Sequence, residues 1–219
     1  KLADGNFYVR KPPRTVTLMN QYIGRAHVLA IDTTDAYGEE VLLARRAFVS
    51  VLPNAVFVID VARTAQPLKM RTHFPLNNRD GALKVHRADE HRYVFRRNGE
   101  AMKLFECAAY VDGKAMPSRM QFDWGYCHRN YHPLANTQGQ AKEGSAEIYN
   151  WVDAQAGKTH MRVCAIAADR DERIKGWHIK AEANGDWYIE SPEREKVLKL
   201  RVWSEHVYLE QDGQWIEVL

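Results

Sequence analysis

The chain has 219 residues, 45% of them hydrophobic and 27% charged, enough to bury a sizeable core as one large domain or two small ones. Thirty-one basic residues against 28 acidic leave a net charge of +3, too balanced to point to nucleic acid as a partner. No run of about 18 apolar residues is present, so no helical membrane span is expected. The stretch Lys1 to Arg10 lacks the apolar core of a signal peptide, so the chain is expected to be cytoplasmic, mature or cut from something longer.

Six dipeptides punctuate the sequence: Asp4-Gly5, Asp80-Gly81, Asn98-Gly99, Asp112-Gly113, Asn184-Gly185 and Asp212-Gly213. Both central residues of a type I′ turn need φ > 0, and Asn-Gly and Asp-Gly tolerate that best. Between these marks lie short runs of alternating apolar and polar residues. In chain order, strands are predicted over Val16 to Met19 and His27 to Asp32, then Ala47 to Leu52 and Ala55 to Ala62 around Pro53-Asn54. Leu68 to Phe74 alternates and reads as a half-buried strand. A hairpin over His91 to Arg97 and Met102 to Tyr110 surrounds Asn98-Gly99. Ile148 to Val152 and Thr159 to Ala168 follow. Trp177 to Ala183, Asp186 to Glu190, Val197 to Trp203, His206 to Glu210 and Trp215 to Leu219 then have the rhythm of a β-meander. Glu39 to Arg46 is the best helical pattern, although it equally suits the start of a strand. Val111 to Gly144 reads as irregular, which in so long a stretch usually means function or mobility. The expected fold is all-β, a large antiparallel β-sandwich with little helix, and residues 1–219 read as a single domain.

Chemistry concentrates at Trp124-Gly125-Tyr126-Cys127-His128-Arg129-Asn130-Tyr131-His132-Pro133. Aromatic faces stack on sugar C–H surfaces, and Arg and His donate to carboxylates or sulfates. Tyr126, His128, Arg129, Tyr131 and His132 are therefore candidate contacts to an acidic glycan; alternatively the aromatics only pin the stretch to the sandwich. His27 and Asp32 share one strand, five residues apart, so their side chains point to opposite faces and do not serve one metal by themselves. His73 lies in the alternating strand before Phe74 and Pro75. Asp60 interrupts the apolar run Val56 to Val61 and needs a partner, for which Arg45, Arg46 or Arg63 is expected. Cys107, Cys127 and Cys164 have no metal spacing and read as free thiols. No GxSxG, P-loop, GxGxxG or HExxH occurs, and no catalytic residue is identifiable.

Three stretches together resemble the C-terminal β-sandwich of the heparinase II/III family of polysaccharide lyases. Arg25 to Asp32 is similar to the family's His-Asn-Thr-Val strand ending in Asp-Gly. Leu43 to Val49 followed by Ala55 to Asp60 resembles its hairpin with an Arg in the first arm and an apolar run ending in Asp in the second. Thr72-His73-Phe74-Pro75-Leu76 resembles its "fHlhP" strand, and Tyr126 to Ala168 is similar in layout to a basic, aromatic loop before a long strand. The likeness covers about two thirds of the chain.

The resemblance implies a β-sandwich that supports a lyase acting on uronic-acid polysaccharides by β-elimination, in which a base takes the C5 proton and an acid protonates the leaving oxygen. In the family the catalytic groups come largely from an N-terminal α/α-toroid and from a His-x-His-x-Asp motif, neither of which this sequence has. The chain is accordingly expected to be inactive alone. His73 and the Tyr126–His132 stretch would border the substrate cleft. Zinc is expected only in a complete enzyme: His27 alone matches a family ligand, and a site needs roughly three or four, the others coming from outside this chain. The implied partners are an acidic polysaccharide and a missing N-terminal domain or second chain, and the implied location is periplasmic or secreted. Two other readings stay open. One is a non-catalytic carbohydrate-binding sandwich with an exposed platform drawn from Trp124, Tyr126, Tyr131, Trp151 and Trp177. The other is a structural or assembly module.

Overall fold

The structure, a computed structural model, describes residues 14–78, 81–126, 145–203 and 206–219, with only the backbone at 123–126 and 145–146. Strands dominate. In chain order they are β1 (Val16–Ile23), β2 (Ala26–Asp32), β3 (Val41–Val51), β4 (Ala55–Leu68), β5 (Arg71–Asn77), β6 (Lys84–Arg87), β7 (Arg92–Arg97), β8 (Glu100–Val111), β9 (Lys114–Ala115), β10 (Arg119–Tyr126), β11 (Ser145–Val152), β12 (Gly157–Arg170), β13 (His178–Ala181), β14 (Trp187–Glu190), β15 (Lys196–Trp203), β16 (His206–Gln211) and β17 (Gln214–Glu217). Among the described residues helix is limited to a 3-10 turn at Thr34–Ala36 and a single turn, α1, at Asp171–Ile174. Among the described residues no helix is long and apolar enough to cross a membrane.

The strands form three antiparallel sheets. The largest runs β1-β2-β3-β4-β12-β8-β7-β6, with β9 paired to β8. A second is β10-β11-β5, and a third is the meander β13 to β17. The fold is thus the all-β sandwich that the sequence predicts. Its turn chemistry is visible in the backbone: Asn98 and Gly99 have φ of 52° and 83°, and Asp112 and Gly113 of 50° and 71°. Both residues of each pair are left-handed, as a type I′ hairpin requires.

The long central strands show why three layers form. In β4, Phe57, Ile59 and Val61 point to one face while Val56, Val58 and Asp60 point to the other; β12 does the same with Met161, Val163 and Ala165 against Arg162 and Cys164. A strand apolar on both faces must be covered on both. The meander covers the first face, where Val28, Val49, Phe57, Ile59 and Val163 pack against Ile189, Leu198, Leu200 and Leu209. The three-stranded sheet covers the second, where Val58, Tyr93, Phe95, Leu104 and Cys164 pack with Tyr149 and Trp151. The two small sheets are offset: the meander's core reaches β1 to β4, and the aromatic core lies over β4, β12, β8 and β7. Cys107 and Cys164 are free thiols, and burial pushes the Cys164 thiol well up; Cys127 lies outside the described residues.

Of the two readings of Glu39 to Arg46, the strand holds: from Val41 onward the segment pairs with β4, setting Arg46 opposite Asp60. One expectation is corrected. Val111 to Gly144 is not wholly irregular. It contains β9 and β10, and β10 pairs residue for residue with β11 from Arg119↔Val152 to Tyr126↔Ser145. The alternation Arg119, Gln121, Asp123 against Met120, Phe122, Trp124 carries that strand.

Charge pairs on the outer face of the meander give it an acid-sensitive seam. The Arg201 guanidinium donates to both oxygens of Asp186 at 2.8 and 2.9 Å and holds that carboxyl below its usual range. Lys196 and Lys199 draw Glu182 down to about 2. A carboxylate lowered in the native state contributes fully above its unfolded pKa of about 4 and loses that contribution as pH falls toward the native value. The meander should therefore loosen between about pH 4 and pH 2. Arg201→Ala should move the acid transition, followed by near-ultraviolet circular dichroism, to higher pH; an unshifted midpoint would show that this pairing carries no stability.

Candidate functional site

The start of β5 converts a packing constraint into a chemical surface. Thr72 is 1% exposed and points inward, so its neighbours Arg71 and His73 point out by strand alternation. Lys69, just before the strand, donates to the Ala154 carbonyl at 2.9 Å. Across from them stand Arg45 and Arg46 on β3 and Tyr37 just after the 3-10 turn. Together these groups border a cleft of about 500 Å³. Four cations, Arg45, Arg46, Lys69 and Arg71, line it with a single lining carboxylate, Asp60; the register sets the Arg46 side chain on the Asp60 face of β3 and the Arg45 side chain on the other face, against Asp32.

Each wall is locally determined. Asp32 accepts from the Thr34 amide at 3.0 Å, the Thr34 hydroxyl at 2.6 Å and Arg45 Nε at 3.0 Å. Partial burial raises the Asp32 pKa, but these donors outweigh it and leave a net lowering. The same bonds start the 3-10 turn and set Arg45 at the rim. Arg46 grips Asp60 through Nε at 2.6 Å and Nη2 at 2.9 Å, and Thr72 Oγ1 donates to the same carboxylate at 2.8 Å. Arg46, among the three partners expected for Asp60, is the one that the register places opposite it.

Behind Thr72 lies a fully buried polar network. Arg162, 0% exposed, donates from Nη1 to Thr72 Oγ1 at 3.0 Å and to the Trp151 carbonyl at 2.6 Å, and from Nη2 to Asp153. Its Nε lies 3.1 Å from Glu106 Oε1 but is not aligned for a hydrogen bond, so that contact is Coulombic only. Asp153 also accepts from the Met70 amide and faces His160 Nδ1 at 2.7 Å, while His160 Nε2 faces the Gly157 carbonyl at 2.8 Å. Both ring nitrogens of His160 thus have oxygen partners. Glu106 is shared further with His91 Nδ1 at 2.9 Å and the Ser118 amide at 3.2 Å.

The candidate residues fall in three places. His73 is at the cleft, its Nδ1 against Asn150 Oδ1. Tyr126 ends β10, but its side chain lies outside the described residues, as do His128, Arg129, Tyr131 and His132 entirely. His27 is remote from the cleft lining, on the open face of β2, where its Nε2 meets Asn20 Oδ1 at 2.9 Å and its ring contacts Tyr22 at 4.9 Å. Among the described residues no three His, Cys, Asp or Glu side chains gather as a metal site. The described residues around His27 do not fit zinc. The aromatic platform is corrected in part: Trp151 and Trp177 are 0% and 5% exposed and serve the core. The sequence reading missed Lys69 and Arg71 as partners of His73, although Leu68-Lys69-Met70-Arg71-Thr72-His73 alternates openly. It also missed Arg162, whose signal is a cation inside the apolar run Met161 to Ala168.

No protein family model matches this sequence, and no curated protein does. Solved structures do. A heparinase III gene product superimposes with a TM-score of 0.56 at 12% identity, over 93% of this chain and 27% of its own. A crystal structure of heparinase III gives 0.57 at 11% identity, over 93% and 26%. A mutant of the heparan sulfate lyase HepC from Pedobacter heparinus gives 0.54 at 13% identity, over 94% and 28%. The fold is a heparinase-like β-sandwich. At such identities the likeness is one of fold alone, and the chain spans about 27% of the length of the heparinase III gene product.

The Asp60 pairing is open to direct test. Asp60→Ala removes the acceptor for Arg46 and Thr72 at the cleft floor. The expected cost is about 2–3 kcal/mol, below the ~3–5 kcal/mol of a fully buried pair, because 36% of the Arg46 side chain stays in contact with water. Thermal unfolding should show a clear fall in Tm; an unchanged Tm would defeat this assignment.

Proposed function

We propose that this chain is the β-sandwich part of a polysaccharide lyase that acts on uronic-acid polysaccharides by β-elimination, and that the cleft beside β5 contacts the acidic glycan. The observation that carries this reading is the likeness in fold to heparinase III and to a heparan sulfate lyase over 86–94% of the chain. The cleft supports it chemically. Lys69 is held by a carbonyl rather than a carboxylate, and four cations around one lining acid suit the carboxylates or sulfates of a uronate chain. Tyr37 offers an aromatic face there and His73 a ring that donates or accepts. Tyr126, His128, Arg129, Tyr131 and His132 remain candidates for contacts of the same chemistry.

On this reading the residues of this chain bind and orient. Neutralising the uronate carboxylate stabilises charge that builds up when the C5 proton leaves, so cations fixed at the cleft favour the reaction even where the base and acid are supplied from elsewhere. A further domain or chain would bring those groups, zinc would belong only to that complete assembly, and a periplasmic or secreted setting would give access to the polymer.

The test is a binding titration of the chain against heparan sulfate, alginate and a neutral glucan, with ultraviolet absorbance of unsaturated uronate followed in parallel. Binding to an acidic glycan that weakens with salt, without turnover, is expected. Lys69→Glu with Arg71→Glu should weaken it about tenfold or more, equivalent to ~1.4 kcal/mol. Arg129→Ala with Tyr131→Ala should weaken it without unfolding. Equal affinity for the neutral glucan, or no binding at all, would overturn the reading; turnover by this chain alone would overturn the assignment of catalysis to other parts.

A further inference from the structure

The largest sheet has two ends, and they are built differently. At one end β6 presents Lys84, His86 and Arg87 in four residues. At the other, β1 reads Val-Thr-Leu-Met-Asn-Gln-Tyr-Ile, eight residues with no charge and no proline. Among the described residues no strand lies on its outer side. Its side chains are open too: Val16, Leu18 and Tyr22 are 53%, 45% and 72% exposed. Sheets normally blunt such edges with charge, proline or shortness, because unpaired N–H and C=O groups pair with any strand offered. The other described edges are blunted in this way: β5 has Arg71 and Pro75, β9 is two residues long, β10 has Arg119, β13 has Lys180, and β17 has Glu217.

We propose that β1 is a docking edge for β1 of a second copy of this chain, the two strands running antiparallel about a two-fold axis. Such an interface is isologous, each residue type meeting the same strand. Like charges set directly opposite one another destabilise a strand pair, and β1 has none to oppose, whereas β6 would set Lys84, His86 and Arg87 against their own copies. The ladder would run roughly 27 Å at about 3.4 Å per residue. It would satisfy the outer backbone groups of β1 and set its uncharged side chains beside those of the second copy, joining two nine-stranded sheets into one. This inference is independent of the function proposed above.

Sedimentation of the 219-residue chain over a wide concentration range, with hydrogen exchange of β1, decides it. A concentration-dependent dimer with protected β1 amides is the expected result. Leu18→Lys should abolish the dimer while leaving Tm unchanged, as should Tyr22→Lys, and Val85→Lys on β6 should leave the dimer intact. A monomer with exposed β1 amides would overturn the proposal. So would a monomer with protected β1 amides, which would mean that another part of the chain covers the edge, and so would a dimer indifferent to both β1 variants.

Discussion

The buried guanidinium of Arg162 is the constraint on which the arrangement depends. A charge with no exposure to water is tolerated only when paired and hydrogen-bonded. Its partners come from three strands or their flanks: Thr72 on β5, the Trp151 carbonyl on β11, Asp153 just after β11, and Glu106 on β8. The three-stranded sheet is thereby seated on the large one at a fixed position. Register is fixed as well. Side chains alternate faces along a strand, so a slip of β12 by one residue would drive Arg162 into the apolar layer beneath the meander. An apolar residue at this position would fill space without specifying either relation.

The cleft follows from this seating. Thr72 stands between Arg162 and Asp60, donating to one and accepting from the other. Because Thr72 is committed inward, the strand period commits Arg71 and His73 outward. The cleft's floor is the point at which the large sheet passes from covered to open. The aromatic core of Val58, Tyr149 and Trp151 gives way to the Asp60–Arg46 pair, and beyond it β2 and β1 present His27 and Tyr22 without a covering layer among the described residues. A three-stranded sheet laid over a nine-stranded one leaves such a step, and the step is lined by whatever the strands display at that row.

The fold was legible because its signals are local. Asn98-Gly99 and Asp112-Gly113 state their turn type in two residues, and runs such as Val56 to Val61 state burial in six. β10 was obscured by Pro117 and Gly125 at its flanks, although its alternation is intact. The chain of Asp60, Arg46, Thr72, Arg162 and Asp153 was legible only at its first member. An isolated carboxylate in an apolar run announces that it needs a partner, but choosing Arg46 over Arg45 or Arg63 requires the β3–β4 register. Finding Arg162 and Asp153 requires knowing that residues about 100 positions apart share a layer. His73 was reached through resemblance, yet Lys69 and Arg71 follow from the same strand period without it.

Four large rings of the described residues are committed to the interior. Trp151, Trp177, Tyr93 and Phe95 are spent on the two cores, where large rings suit the gap between facing sheets. The charged side chains lining the cleft are mainly cationic, with Tyr37 as the ring beside them. On the proposed function such a surface would hold its ligand through charge-assisted hydrogen bonds, which select anionic groups and weaken with salt. The same large sheet buries its meander-facing side in the larger core. On its other side, where a polar network is already required to seat the smaller sheet, fixed cations reach the surface with their geometry set by the core beneath them.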